Sequence, residues 1–130
     1  MKLKAILFCL AMLLLAGCGP KTYEITGQVK MDGQPVPEGH IAFSSDEGVG
    51  GNGGGPITNG QYKALVTAGK TKVRITASKL TPLAEGEENP YGHKEEMRSY
   101  IPNKYNASTT LEANITGPAN LDYDLKSDPK

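Results

Sequence analysis

The sequence predicts an all-β chain, a single antiparallel β-sandwich of six to seven strands that follows a cleaved N-terminal signal peptide. Three observations carry this expectation. Short segments alternate apolar and polar residues with a period of two, turn dipeptides punctuate them, and the long apolar run at the start stops short of a membrane span.

The strands follow in chain order. Tyr23, Ile25, Val29 and Met31 alternate with Glu24, Thr26, Gln28 and Lys30, with Gly27 the one gap in the apolar set. In an extended chain this places the apolar residues on one face. Ile41 and Phe43 make a second strand, Tyr62, Ala64 and Val66 a third, and Val73, Ile75 and Ala77, set against Lys72, Arg74 and Thr76, a fourth. Leu111, Ala113 and Ile115 form the next, and Leu121, Tyr123 and Leu125 the last. The four-residue link Gly117-Pro118-Ala119-Asn120 is suited to a hairpin between these two. Asp32-Gly33 and Asn59-Gly60 are turn dipeptides. No segment forms a convincing amphipathic helix, although Glu85 to Tyr100 has room for a turn or two.

Lys2 and Lys4 precede an uninterrupted apolar run from Ala5 to Ala16, which ends in Gly17, Cys18 and Gly19. This is the layout of an export signal, and the run is shorter than the roughly 20 residues a spanning helix needs. Leu15-Ala16-Gly17-Cys18 resembles the lipobox of bacterial lipoproteins. The resemblance implies cleavage before Cys18, a diacylglyceryl group on its sulfur and an added acyl chain on its amine. A single acyl chain binds a membrane reversibly, whereas two or more hold it stably. The implied organisation is a signal peptide over 1–17, a lipidated tether over 18–22, a sandwich over 23–126 and a flexible C-terminus over 127–130. Gly19 stands where an inner-membrane retention signal would have aspartate, which favours the outer membrane of a bacterial envelope over the inner one.

Cysteine usage agrees with this address. Cys9 lies in the leader and Cys18 is consumed by lipid, so the mature chain has no thiol for a disulfide, a nucleophile or a metal site. Of the 14 Lys and Arg residues, two lie in the leader, which leaves the mature chain slightly acidic against its 14 Asp and Glu. No basic stripe suggests nucleic acid, and no motif calls for a cofactor.

Two loops stand out. The first, Ser44 to Gly55, holds Gly48, Gly50, Gly51, Gly53, Gly54 and Gly55. It leads into a turn and a strand rather than a helix, so it does not build a phosphate cradle. Gly69-Lys70-Thr71 also fails as the end of a P-loop, because Ala64 stands where that motif needs glycine. The second loop, Leu80 to Asn103, carries Glu85, Glu87, Glu88, His93, Glu95 and Glu96. His93, Glu95 and Glu96 are the candidate binding residues, although zinc sites bring at least three ligands at ordered spacing and calcium loops alternate Asp and Asn. No catalytic or metal-ligating set is assigned. Ser44 and Ser45 beside Asp46, or Ser78 with either histidine, lack a base held in place by a third group.

Tyr23-Glu-Ile-Thr-Gly27-Gln-Val29, Asp32-Gly33-Gln-Pro35-Val36-Pro-Glu-Gly39-His-Ile41-Ala-Phe43, Gly60-Gln-Tyr62 and Val73-Arg-Ile75 together resemble the carboxypeptidase regulatory-like domain. Ile101-Pro102-Asn-Lys-Tyr105-Asn106, Leu111 and Asn120-Leu-Asp-Tyr123-Asp-Leu125 are similar to the C-terminal half of short lipoproteins of this type, common in planctomycete-type bacteria. The resemblance implies a transthyretin-like, immunoglobulin-like sandwich of seven strands without catalytic residues. Its implied roles are structural support, folding support or ligand contact.

The resulting expectation is a non-catalytic envelope lipoprotein. It is held to a membrane by lipid on Cys18 and meets an envelope protein or glycan through its long loops. The alternative is a small-ligand or metal-ion binding protein that uses the 80–103 loop. Expressed in a lipoprotein-processing bacterium, the native chain is expected to begin at Cys18, carry acyl mass and pellet with membranes. A Cys18→Ala variant is expected to do none of these, as intact mass and fractionation will show.

Overall fold

The computed structural model describes residues 19–45 and 53–129. The expected signal peptide over 1–17 and the expected lipidation site Cys18 lie outside the described residues, as do Asp46 to Asn52 of the glycine-rich loop and Lys130. The described chain is all-β and sandwich-like, with no α-helix. Its strands are β1 (Thr22–Met31), β2 (Gln34–Pro35), β3 (Glu38–Ser44), β4 (Gly53–Thr58), β5 (Gln61–Thr67) and β6 (Gly69–Thr76). These are followed by β7 (Ser78–Pro82), β8 (Glu95–Ser99), a 3₁₀ turn (Asn103–Tyr105), β9 (Glu112–Ile115), β10 (Ala119–Asn120) and β11 (Tyr123–Leu125).

One sheet runs in the order β10-β1-β5-β4-β3-β6-β9, with β2 and β11 also paired to β1. Chain connectivity forces this sheet to curl. β9 and β10 occupy its opposite ends, six strand spacings or about 29 Å apart if the sheet were flat. Yet only residues 116–118 join them, and four Cα steps reach at most about 15 Å. Ala68 alone joins β5 to β6, although β4 and β3 lie between them in the order. Both short links require strands distant in the order to face one another across a core.

That core is the inward set of the alternating segments: Ile25 and Val29 of β1, Ile41 and Phe43 of β3, Ala64 and Val66 of β5, and Val73 and Ile75 of β6. Val36, Ile57, Tyr62, Ala77, Ile101, Ile115 and Leu125 complete it. Thr71 and Thr109 are its buried polar residues, and each hydroxyl donates to a carbonyl, of Ala113 at 2.9 Å and of Val73 at 2.6 Å. Both turn dipeptides have φ above zero at both residues, +51° and +83° at Asp32-Gly33 and +52° and +78° at Asn59-Gly60. These are the angles a two-residue hairpin needs.

Three expectations are corrected. The link 117–120 does reverse the chain, but β9 and the C-terminal strands do not pair as a hairpin. β9 pairs antiparallel with β6, whereas β10 and β11 pair parallel with β1. The two arms of the reversal thus lie against opposite ends of the curled sheet, which is what closes it. Secondly, Ser44 belongs to β3 and Gly53 to Gly55 belong to β4, so the first loop is shorter than Ser44 to Gly55. A Cβ on these glycines would lie 2.1 Å from the Leu65 carbonyl oxygen, 2.6 Å from that of Ile41 and 2.3 Å from that of Lys63. Thirdly, the 80–103 segment is not one long loop and holds no α-helix: β7 and β8 pair as a separate two-stranded ribbon, with residues 83–94 as its irregular tip.

Gly27 marks the crossing point of the C-terminal segment. A Cβ there would fall 1.9 Å from the Leu121 carbonyl oxygen and 2.9 Å from the Tyr62 ring. The absence of a side chain lets Leu121 donate its N–H to the Thr26 carbonyl at 2.8 Å, while the Tyr62 hydroxyl donates to the Leu121 carbonyl at 2.6 Å. Gly27→Ala is therefore expected to cost about 3 kcal/mol, the upper part of the range for overpacking, because backbone rather than a flexible side chain must move. Gly117→Ala, with nothing within 4 Å of its added Cβ, is expected to change little. Denaturant melts of the two variants check this.

Candidate functional site

Two surfaces gather polar or exposed apolar side chains outside the core. The first is the ribbon. β7 and β8 pair in the register Lys79↔Arg98, Leu80↔Met97, Thr81↔Glu96 and Pro82↔Glu95. Directly opposed residues share a face, so Leu80 and Met97 stand together, and they are 62% and 63% exposed. The other face is polar: the Glu96 carboxylate accepts from the Arg98 guanidinium, and the Lys79 ammonium lies 5.4 Å from the centre of the Tyr100 ring.

The ribbon tip is built on Asn89, which the sequence reading passed over. Its side-chain oxygen accepts the backbone N–H groups of Tyr91 at 2.9 Å and His93 at 3.0 Å, and its own N–H donates to the His93 carbonyl at 2.9 Å. Asn-Pro is a turn-initiating dipeptide, and Asn89-Pro90 was the available signal. Tyr91 stands at this tip, 84% exposed.

The three candidate binding residues all lie at this ribbon. His93, Glu95 and Glu96 line a shallow depression of about 390 Å³ with Leu80, Asn89 and Met97. As neighbours on one strand, Glu95 and Glu96 project to opposite faces of the ribbon, and Glu96 is engaged by Arg98. Among the described residues, no three His, Cys, Asp or Glu side chains are grouped to hold a metal ion.

The second surface, unanticipated from sequence, is an open groove of about 800 Å³ on the outer face of β10, β1, β5 and β4. Strand pairing sets its lining in two rows. Asn120, Thr26 and Lys63 form one, with Pro56 beyond them on β4; Asp122, Gln28, Gln61 and Thr58 form the other. Asn59 and the edge of Tyr62 also contribute. The alternation that puts Ile25 and Val29 inward puts Thr26 and Gln28 outward, so the same periodicity builds core and groove.

The charges in the groove are already engaged. The Lys63 ammonium lies 3.6 Å from the Glu24 carboxylate, and the Asp122 carboxylate accepts the Gln28 N–H at 2.8 Å. Beneath the groove, burial, with the Tyr123 hydroxyl and the Asp122 carboxylate nearby, holds the Tyr62 hydroxyl well above the usual phenol range. Burial pushes Tyr123 up to about 12.

The two surfaces have a defined place along the sandwich. β1 starts beside the end of β5, through the pair Thr22↔Thr67, and β6 starts there too. β6 then runs eight residues to Thr76, about 26 Å at full extension. The ribbon therefore leaves from the end opposite the start of β1, and the Asn59-Gly60 turn of the groove lies at that same end.

No protein-family profile matches the chain, and no curated protein matches it. Among solved structures it is similar to part of a 9R-lipoxygenase from Cyanothece PCC8801, at 14% identity and a TM-score of 0.44. That likeness covers 85% of this chain and 17% of the lipoxygenase, so the chain spans a small part of that protein's length.

The two raised tyrosines fix an alkaline limit. In the unfolded chain they ionise near 10, whereas in the folded chain they stay protonated above that value. Over that interval the folded form binds more protons, so linkage makes stability fall as pH rises. The stability they support is complete below about pH 10; the Tyr123 share is lost as pH passes through about 12, and the Tyr62 share at still higher pH. Thermal melts across this range are expected to show the decline, and Tyr62→Phe and Tyr123→Phe are each expected to flatten it.

Proposed function

We propose that this protein is a non-catalytic, lipid-anchored envelope module of the carboxypeptidase regulatory-like type, tethered through Cys18 and presenting the 78–99 ribbon to an envelope protein. The observation that carries this reading is the Leu80–Met97 pair. Two large apolar side chains stand side by side in water on a ribbon that adds nothing to the core. An isolated two-stranded hairpin is marginal in water, and exposed apolar surface grouped in one place is a mark of contact sites.

Position supports the same reading. The short tether from Cys18 would hold the end where β1 begins close to the bilayer. The ribbon leaves from the opposite end, where a soluble or periplasm-facing partner reaches it. With Leu80 and Met97 flanked on their own face by Ser78, Ser99 and Glu95, the surface has the apolar centre and polar rim of a protein contact.

A photo-crosslinking residue placed at position 80 in cells is expected to give one discrete adduct. The adduct is expected to disappear when Met97 is changed to Ser, and the same probe at Leu65, 65% exposed on the sandwich body, is expected to give none. Met97→Ser is expected to shift stability by no more than about 0.5 kcal/mol, since it removes an exposed contact. Equal labelling from positions 80 and 65 would sink the proposal.

A further inference from the structure

We propose that the groove over β10, β1, β5 and β4 is a binding site for an uncharged, hydroxyl-rich chain, that is, a neutral glycan. This goes beyond the ribbon and does not depend on the lipid anchor.

Size comes first. Four adjacent strands give a floor about 14 Å wide, and its two rows of side chains are about 7 Å apart along the strands. The volume of about 800 Å³ lies in the range of small-molecule sites. The groove is open rather than enclosed, so it admits a segment of a longer chain.

Chemistry selects the occupant. Gln28, Gln61 and Asn120 each present an amide that both donates and accepts, and Thr26 and Thr58 add hydroxyls that do the same. A sugar hydroxyl also donates and accepts, so either sense of hydrogen bond is available at each position. An ionic ligand is poorly matched, because Lys63 is paired with Glu24 and Asp122 is bonded to the Gln28 backbone. The exposed ring of Pro56 supplies an apolar patch on which C–H groups of a sugar ring can rest.

The site is also held in shape before binding. The Asn59-Gly60 turn donates backbone N–H groups to the carbonyls of Pro37 at 2.8 Å and Val36 at 2.7 Å. The Asn120 amide lies 3.5 Å from the Thr26 hydroxyl, and the segment bearing Asp122 is anchored through Leu121. The backbone then needs no ordering when a ligand arrives, and the cost of binding falls on the exposed Gln28 and Gln61 side chains.

The test uses the full chain, isotope-labelled and purified as the cell produces it. It is titrated to millimolar concentration with cello-, chito-, malto- and xylo-oligosaccharides, with an anionic polygalacturonate and with an uncharged Gly/Ser peptide. The expected result is saturable binding of at least one neutral oligosaccharide, with amide shifts confined to the groove. Gln28→Ala and Gln61→Ala are each expected to weaken it about tenfold, the loss appropriate to one or two hydrogen bonds. Their melting curves are expected to match the native chain, because both side chains are exposed. Binding to none of the neutral sugars overturns the proposal. So does binding that survives both substitutions, or binding of the polyanion or the peptide alone.

Discussion

The fold depends on the crossing of the C-terminal segment over β1 at Gly27. β1 is paired with β5 along one edge, and its other edge would be a row of open backbone groups. Residues 119–125 cover that edge, first as β10 and then as β11, while β2 continues the β5 side near the Asp32-Gly33 turn. Only a glycine permits the crossing, because the Leu121 carbonyl occupies the space a side chain would need. An uncovered β1 would also be a template for pairing with another chain.

The same crossing organises the rest of the molecule. It brings the end of the chain back to the strand that began it, and the short link 116–118 then requires the β9 end of the sheet to lie close by. The enclosed core is made of mid-sized aliphatic residues with Phe43 and Tyr62, whose rings lie 6.4 Å apart. Tyr62 is both core and clasp, since its ring fills the interior and its hydroxyl holds Leu121. Asp122, one residue on, is carried into the polar groove by this clasp.

The energy that holds the sandwich is divided unevenly along the chain. The core cluster contains no residue between Ser78 and Ser99, so the ribbon adds little to the energy that holds the sandwich. It is tied at its base by the Tyr100 N–H to Ala77 carbonyl bond and ordered at its tip by Asn89. A surface with few structural duties can change its side chains without endangering the fold, which suits a region that meets a partner. The groove differs: its side chains point outward from strands whose inward residues are core, so its shape is as rigid as the sandwich itself.

The sequence by itself determined the period of the strands, their inward faces and the two hairpin dipeptides, because each is a local property. Alternation sets which face is apolar, and Asp-Gly or Asn-Gly supplies positive φ wherever it sits. It also marked Gly27 as an anomaly in the alternation of β1 without revealing the cause. Only tertiary structure decided that 117–120 is a reversal whose arms part, that Gly53 to Gly55 form a strand, and that Glu85 to Tyr100 belongs to a ribbon and its tip. Those outcomes rest on pairing between segments far apart in the chain, where backbone approach and strand order are set by the closed sheet. The groove escaped the sequence reading for the same reason: Gln28, Gln61, Thr58 and Asp122 are ordinary polar residues until four strands place them in one row.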